Sequence, residues 1–129
     1  MNHRLTLALT ALVVALAGCA STLSPVTNPP AAIVAASPGL TEGIALYDKG
    51  DYNGAIKRLG QPDVASASRA TQLSALKYTA FSYCVTSRTT LCRLSFEKAF
   101  KLDPAFDLAP GEHGHPLWGP VFLKVRKSR

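Results

Sequence analysis

The chain has 129 residues, 47% of them hydrophobic and 17% charged, and its 14 Lys and Arg against 8 Asp and Glu give a formal net charge of +6. That length leaves room for one small domain, and a single core of about 100 residues or fewer is marginal without some staple, so the 3 cysteines matter from the outset. The apolar content is unevenly spread. Met1 to Arg4 is a short positive start, and Leu5 to Ala17 is an apolar stretch interrupted only by Thr6 and Thr10. This pattern predicts a secretion signal over residues 1–18. A membrane-spanning helix needs about 20 apolar residues, and Gly18, Cys19 and the Ser/Thr/Pro stretch behind them end the run too early.

Leu16-Ala17-Gly18-Cys19 resembles the lipobox of bacterial lipoproteins. The resemblance implies that the sulfur of Cys19 receives a diacylglycerol before cleavage, making it the lipidated first residue of the mature protein. Acyl chains contribute about 0.8 kcal/mol per buried methylene, and two or more give stable anchoring where one does not. In that family the residue after the cysteine sorts the product. Ala20 is not the aspartate associated with inner-membrane retention, which implies the periplasmic face of an outer membrane. Loss of residues 1–18 removes Arg4, so the mature chain stays basic, with 13 Lys and Arg against 8 Asp and Glu.

Residues 19–37 read as the lipidated N-terminus and an extended tether, because Pro25, Pro29 and Pro30 stand among Ser, Thr and Ala with no charge and no sustained apolar period. Residues 38–129 read as the folded domain. After Pro38-Gly39, Leu40, Ile44 and Tyr47 recur at helical spacing with Thr41 as N-cap, and Gly50 ends the helix in a left-handed conformation. Asp51 caps a second helix, with Tyr52, Ala55, Ile56 and Leu59 on one face, stopped by Gly60 and Pro62. A third helix is expected from about Ser68 to Val85, its stripe being Leu73, Leu76, Ala80 and Tyr83, with Arg69, Gln72 and Lys77 outside it. Thr86 to Thr90 reads as a polar turn. Cys92, Phe96, Ala99 and Phe100 mark a fourth helix that Asp103-Pro104 terminates. Ala105 to Gly114 reads as an irregular connector, and Trp118, Phe122 and Val125 share the spacing of a short fifth helix with Pro116 or Pro120 in its first turn. The expected class is therefore all-α, two helical hairpins and a C-terminal cap.

Tyr47-Asp48-Lys49-Gly50-Asp51-Tyr52-Asn53-Gly54-Ala55-Ile56 resembles the inter-helix turn of a tetratricopeptide repeat, and Phe96 to Pro104 is similar to the closing half of a second repeat. Gln61 to Ala67 departs from the usual short link. About two repeats fit, and stacks of three or more are the norm, so a terminal cap is needed; the Trp118 segment is the candidate. With the lipobox, the two cysteines around the second turn and the ending His115-Pro116-Leu117-Trp118-Gly119-Pro120-Val121-Phe122, the layout resembles lipoproteins associated with type VI secretion, of the TssQ type. That resemblance implies a protein-binding adaptor partnered by a secretion-system or other envelope protein. The alternatives are a general envelope-assembly or cell-wall-associated adaptor, and a small thiol-dependent enzyme.

Cys84 and Cys92 fall at the end of the third helix and the start of the fourth, which the intervening turn folds together. Cys19 is consumed by lipid, the remaining count is even and the periplasm is oxidising, so a disulfide is expected; two buried free thiols are the alternative. His113 and His115 beside Glu112 supply at most part of a metal shell, and a solvated or capping role is the simpler expectation. No phosphate loop, nucleophile elbow, metalloprotease helix or paired carboxylates at a catalytic spacing occur after Cys19. A Cys92–His115 pair is the remaining nucleophilic arrangement, and a disulfide would quench it. No cofactor, metal or small-molecule substrate is expected. Lys124, Arg126, Lys127 and Arg129 form a basic tail, read either as the solvated end of a helix or as a contact for anionic lipid or an acidic partner. Lipidation outside the cytoplasm argues against nucleic acid. Tyr47, Tyr52, Tyr78, Phe81, Tyr83, Phe96 and Phe100 are expected mostly in the core, with some tyrosines at a partner groove.

Overall fold

A computed structural model describes residues 37–129. The secretion signal, the lipobox with Cys19 and the tether up to residue 36 lie outside the described residues. The described part is all-α, with helices α1 (Pro38–Asp48), α2 (Tyr52–Leu59), α3 (Pro62–Ala65), α4 (Arg69–Val85), α5 (Thr89–Leu102) and α6 (Gly119–Lys127), and no strand among the described residues.

Local chemistry sets most boundaries. Asp51 accepts from the Gly54 N–H at 2.8 Å as the N-cap of α2, and Gly50, at φ 80°, makes the left-handed turn before it. Ser68 accepts from the Thr71 N–H at 3.2 Å as the cap of α4. Three expectations need correction. Ser37, not Thr41, caps α1 by accepting from the Leu40 N–H at 3.1 Å. Pro38 in the first turn opens the helix, because a missing N–H is harmless there. Pro62 likewise begins the one-turn α3 rather than merely ending α2, and that turn carries Val64 into the core at 1% exposure. Thr89 and Thr90, read as part of a turn, already belong to α5.

Two antiparallel hairpins result, α1 with α2 and α4 with α5. Their direction is locked by contacts that join the start of one helix to the end of its partner. In the first hairpin, Arg58 Nε donates to Glu42 Oε2 at 2.5 Å. In the second, Arg69 Nη2 donates to the Leu102 carbonyl at 2.5 Å. Helix α4 packs against α1, α2 and α3 as well as α5, and α6 packs on α5.

This placement corrects the expected stripe on α4. Leu73, Leu76 and Tyr83 are only half-buried, while Thr71, Ala75, Ala80, Phe81, Ser82 and Cys84 are buried. A helix pressed from two sides buries small residues where its neighbours come closest. Ser82 meets the polar cost by donating from Oγ to the Tyr78 carbonyl at 2.8 Å.

The core has two parts. Leu40, Leu59, Val64 and Ala75 form a small aliphatic cluster between the hairpins. Phe81, Cys84, Cys92, Phe96, Phe100, Leu108, Trp118 and Phe122 belong to a larger, mostly aromatic one. Tyr78 packs against both. The C-terminal cap is real and aromatic. Trp118 stacks on Phe81 with centroids 4.0 Å apart, and Phe122 stacks on Phe100 at 5.5 Å and meets Phe96 edge-on at 5.3 Å. Such contacts add about 0.5–1.5 kcal/mol each beyond the area they bury.

Candidate functional site

Helices α2 and α5 flank α4, and between them, with α3 closing one end, lies an open cavity of about 410 Å³. Its floor is Leu59, Val64 and Ala75, the buried aliphatic cluster seen from outside. Ile56, Leu76 and Tyr83 are half-buried and form the walls. The polar groups at the rim divide into occupied and free. Gln72 Nε2 donates to the Ala67 carbonyl at 2.8 Å, and Ser95 Oγ to the Leu91 carbonyl at 2.9 Å. Lys98, exposed on α5, forms no ion pair among the described residues. The groove thus offers an apolar bed with one uncompensated positive charge at its edge. That arrangement suits apolar side chains accompanied by an acidic group.

Of the aromatic residues expected near a partner surface, Tyr83 reaches this groove. Tyr47, Tyr52 and Tyr78 instead assemble at the junction of the hairpins, with Tyr47 edge-on to Tyr52 at 5.4 Å and to Tyr78 at 5.2 Å. Burial, and then the neighbouring Tyr52 and Tyr78 hydroxyls, push the Tyr47 phenol from its ordinary 10.0 up to about 12.

Sequence reasoning missed the groove because its floor is contributed by three separate helices. Ile56 and Leu76 lie on the apolar stripes of their helices, and nothing in those stripes shows that they stay partly exposed.

Cys84 and Cys92 stand at disulfide distance, with sulfurs 2.13 Å and Cα atoms 5.2 Å apart. Both are buried, Cys92 completely. The pair ties the end of α4 to the start of α5 beneath the aromatic cluster, and Cys92 presents no exposed sulfur to a substrate.

The two histidines are held apart by different partners. His115 stacks face to face on Trp118, and its Nδ1 accepts from the Leu117 N–H at 3.2 Å. His113 Nε2 lies 3.2 Å from Asp107 Oδ1, with its ring edge-on to Phe122. Glu112 is occupied elsewhere, accepting from Lys77 Nζ and from the Ala109 N–H, each at 2.8 Å. Among the described residues no group of three or more His, Cys, Asp or Glu is gathered that could hold a metal ion. No helix of the described residues is long and apolar enough to cross a membrane.

The basic tail is split in the same way. Arg126 Nη1 lies 3.4 Å from Asp107, and Arg129 Nη1 donates to the Pro104 carbonyl at 2.7 Å with its guanidinium over the Phe100 ring. Lys124 and Lys127 are exposed and form no ion pair among the described residues.

Compared with protein-family models, curated proteins and solved structures, the chain matches none of them.

Proposed function

We propose that this protein is a lipid-anchored adaptor on the periplasmic face of an outer membrane, a tetratricopeptide-like accessory of a type VI secretion apparatus, that binds an envelope protein through the groove between α2 and α5. The observation that carries the adaptor reading is the groove itself. An apolar floor of Leu59, Val64 and Ala75 lies open on a rigid frame, with Lys98 unpaired at its rim. The order of packing, in which α4 touches both helices of the preceding hairpin and α6 closes the array, supports the repeat-like reading. Lipid anchoring and placement outside the cytoplasm are supported by Leu16-Ala17-Gly18-Cys19 behind an apolar leader. The buried cysteine pair supports an oxidising compartment and favours binding over thiol chemistry. The secretion assignment is supported by the layout of lipobox, repeat pair and Trp118-containing end.

Crosslinking in cells followed by identification of the captured protein tests the reading. Secretion-system components captured by the native chain and lost in Leu76→Glu, which places a carboxylate on the groove wall, are the expected result. Capture of barrel-assembly or cell-wall components would move the protein to the general envelope-adaptor alternative. Cys19→Ser tests the anchor: precursor processing and membrane attachment are both expected to fail.

A further inference from the structure

Helix α6 has two faces, and only one is used by the fold. Trp118, Phe122 and Val125 point into the aromatic core and are buried. The opposite side runs through Pro120, Leu123, Lys124 and Lys127, spaced to fall on one face of the helix, with Leu117 in the turn just before it, and all five are exposed. Two of the large apolar residues left exposed in the described domain are here, Leu117 at 50% and Leu123 at 38%. No acidic residue follows Glu112 in the chain. Asp107, which contacts this helix through Arg126, is also engaged by His113. This side of α6 therefore combines projecting leucines with two lysines whose charge nothing in the domain neutralises.

We infer that this face of α6 rests on an anionic phospholipid surface, the leucines entering the headgroup boundary and Lys124 and Lys127 meeting lipid phosphates. The inference rests on the lipid anchor proposed above. Residues 19–36, even fully extended, would reach at most about 65 Å, so the domain stays close to the bilayer that holds Cys19. Interfacial binding grows with the apolar area buried and with attraction to anionic lipid, and each basic side chain near an anionic surface favours contact by about fivefold. A protein partner finds an apolar concavity in the groove between α2 and α5 instead. The α6 contact would turn the domain so that one fixed side faces the membrane, a restriction the acyl anchor alone does not impose.

The lipidated protein, reconstituted in vesicles of phosphatidylcholine with and without phosphatidylglycerol, provides the test. Lysine acylation by a water-soluble reagent is read residue by residue, and flotation is measured in parallel. The expected result is labelling of Lys124 and Lys127 slowed about fivefold or more on phosphatidylglycerol vesicles, reversed by added salt, with Lys49 and Lys57 unchanged. Leu117→Ser combined with Leu123→Ser is expected to remove that protection while leaving the melting temperature in place, since both side chains project from the fold. Equal labelling of Lys124 and Lys127 on the two vesicle types, or equal slowing of all four lysines, would overturn the contact while flotation leaves the anchor standing. Failure to float with either vesicle would refute the anchor, and the contact with it.

Discussion

The two hairpins solve the same packing problem by different means. In the first, α1 and α2 close on a small aliphatic core and are held by close approach. A Cβ on Gly43 would collide with the Leu59 side chain, so glycine lets the helices meet. Arg58 spans the outside, donating from Nη1 and Nη2 to the two Asp63 oxygens at 3.0 Å each, as well as to Glu42. In the second, α4 and α5 are joined by the Cys84–Cys92 pair, filled by Phe81, Phe96 and Phe100 and roofed by Trp118 and Phe122. Charge follows the same division. Residues 37–67 carry 3 Lys and Arg against 4 Asp and Glu, whereas residues 68–129 carry 10 against 4. A chain this short cannot give both halves a large core, and it concentrates its aromatic volume and its staple in the half that ends the array.

The difference is best broken at Phe96, which is fully buried and meets both Phe81 and Phe122. Phe96→Ala is expected to cost about 3–5 kcal/mol, read from the shift of the denaturant midpoint. A loss well under that would mean that the aromatic cluster is less tightly packed than its geometry indicates. Second in size is the cysteine pair. Replacing both with Ser removes closure of a loop with a sequence separation of 8, about 2.5 kcal/mol in the chain-entropy model. Amide exchange should rise at the α4–α5 turn and stay unchanged at Gly50. Two titratable thiols in protein purified without reductant under oxidising conditions would refute the bridge.

Gly43→Ala should loosen the first hairpin by about 1–3 kcal/mol, the usual cost of overpacking, without changing exchange in α5; a neutral outcome would show that Leu59 moves aside freely. The smallest effects lie at the ends of the pH profile. The Arg58 hydrogen bonds hold the Asp63 carboxyl below its ordinary range, so its contribution is complete above that range and fades as pH falls through it. Arg58→Met should flatten this acid limb. Tyr47 behaves oppositely. With its phenol raised from 10.0 to about 12, its contribution is intact below pH 10 and is lost as pH rises toward 12. Tyr47→Phe should remove that alkaline loss from a stability-against-pH series.

Several elements were legible because a few neighbouring residues suffice to specify them. Asp51 three residues before Gly54, Gly50 at a left-handed turn, Ser68 opening α4 and Asp103-Pro104 closing α5 all act within one turn of helix. The approach of Cys84 to Cys92 followed from two helices and the short turn between them. The α4 stripe misled, since periodicity identifies one apolar face and α4 is covered on two. Gln61 to Ala67 looked irregular because a single helical turn has no period to detect, yet its Val64 is a floor residue of the groove.

By itself the sequence determined the helical class, the caps at Asp51 and Ser68 and the approach of Cys84 to Cys92, all of which depend on spacing or on chemistry local to the chain. Only the tertiary structure decided which apolar residues would be left uncovered. Ile56 and Leu76 become groove walls because α2 and α5 stand apart across α4, and Leu123 remains outside because Phe122 and Val125 turn the other side of α6 inward. Exposure is a property of neighbours distant in the chain, and no local pattern carries it.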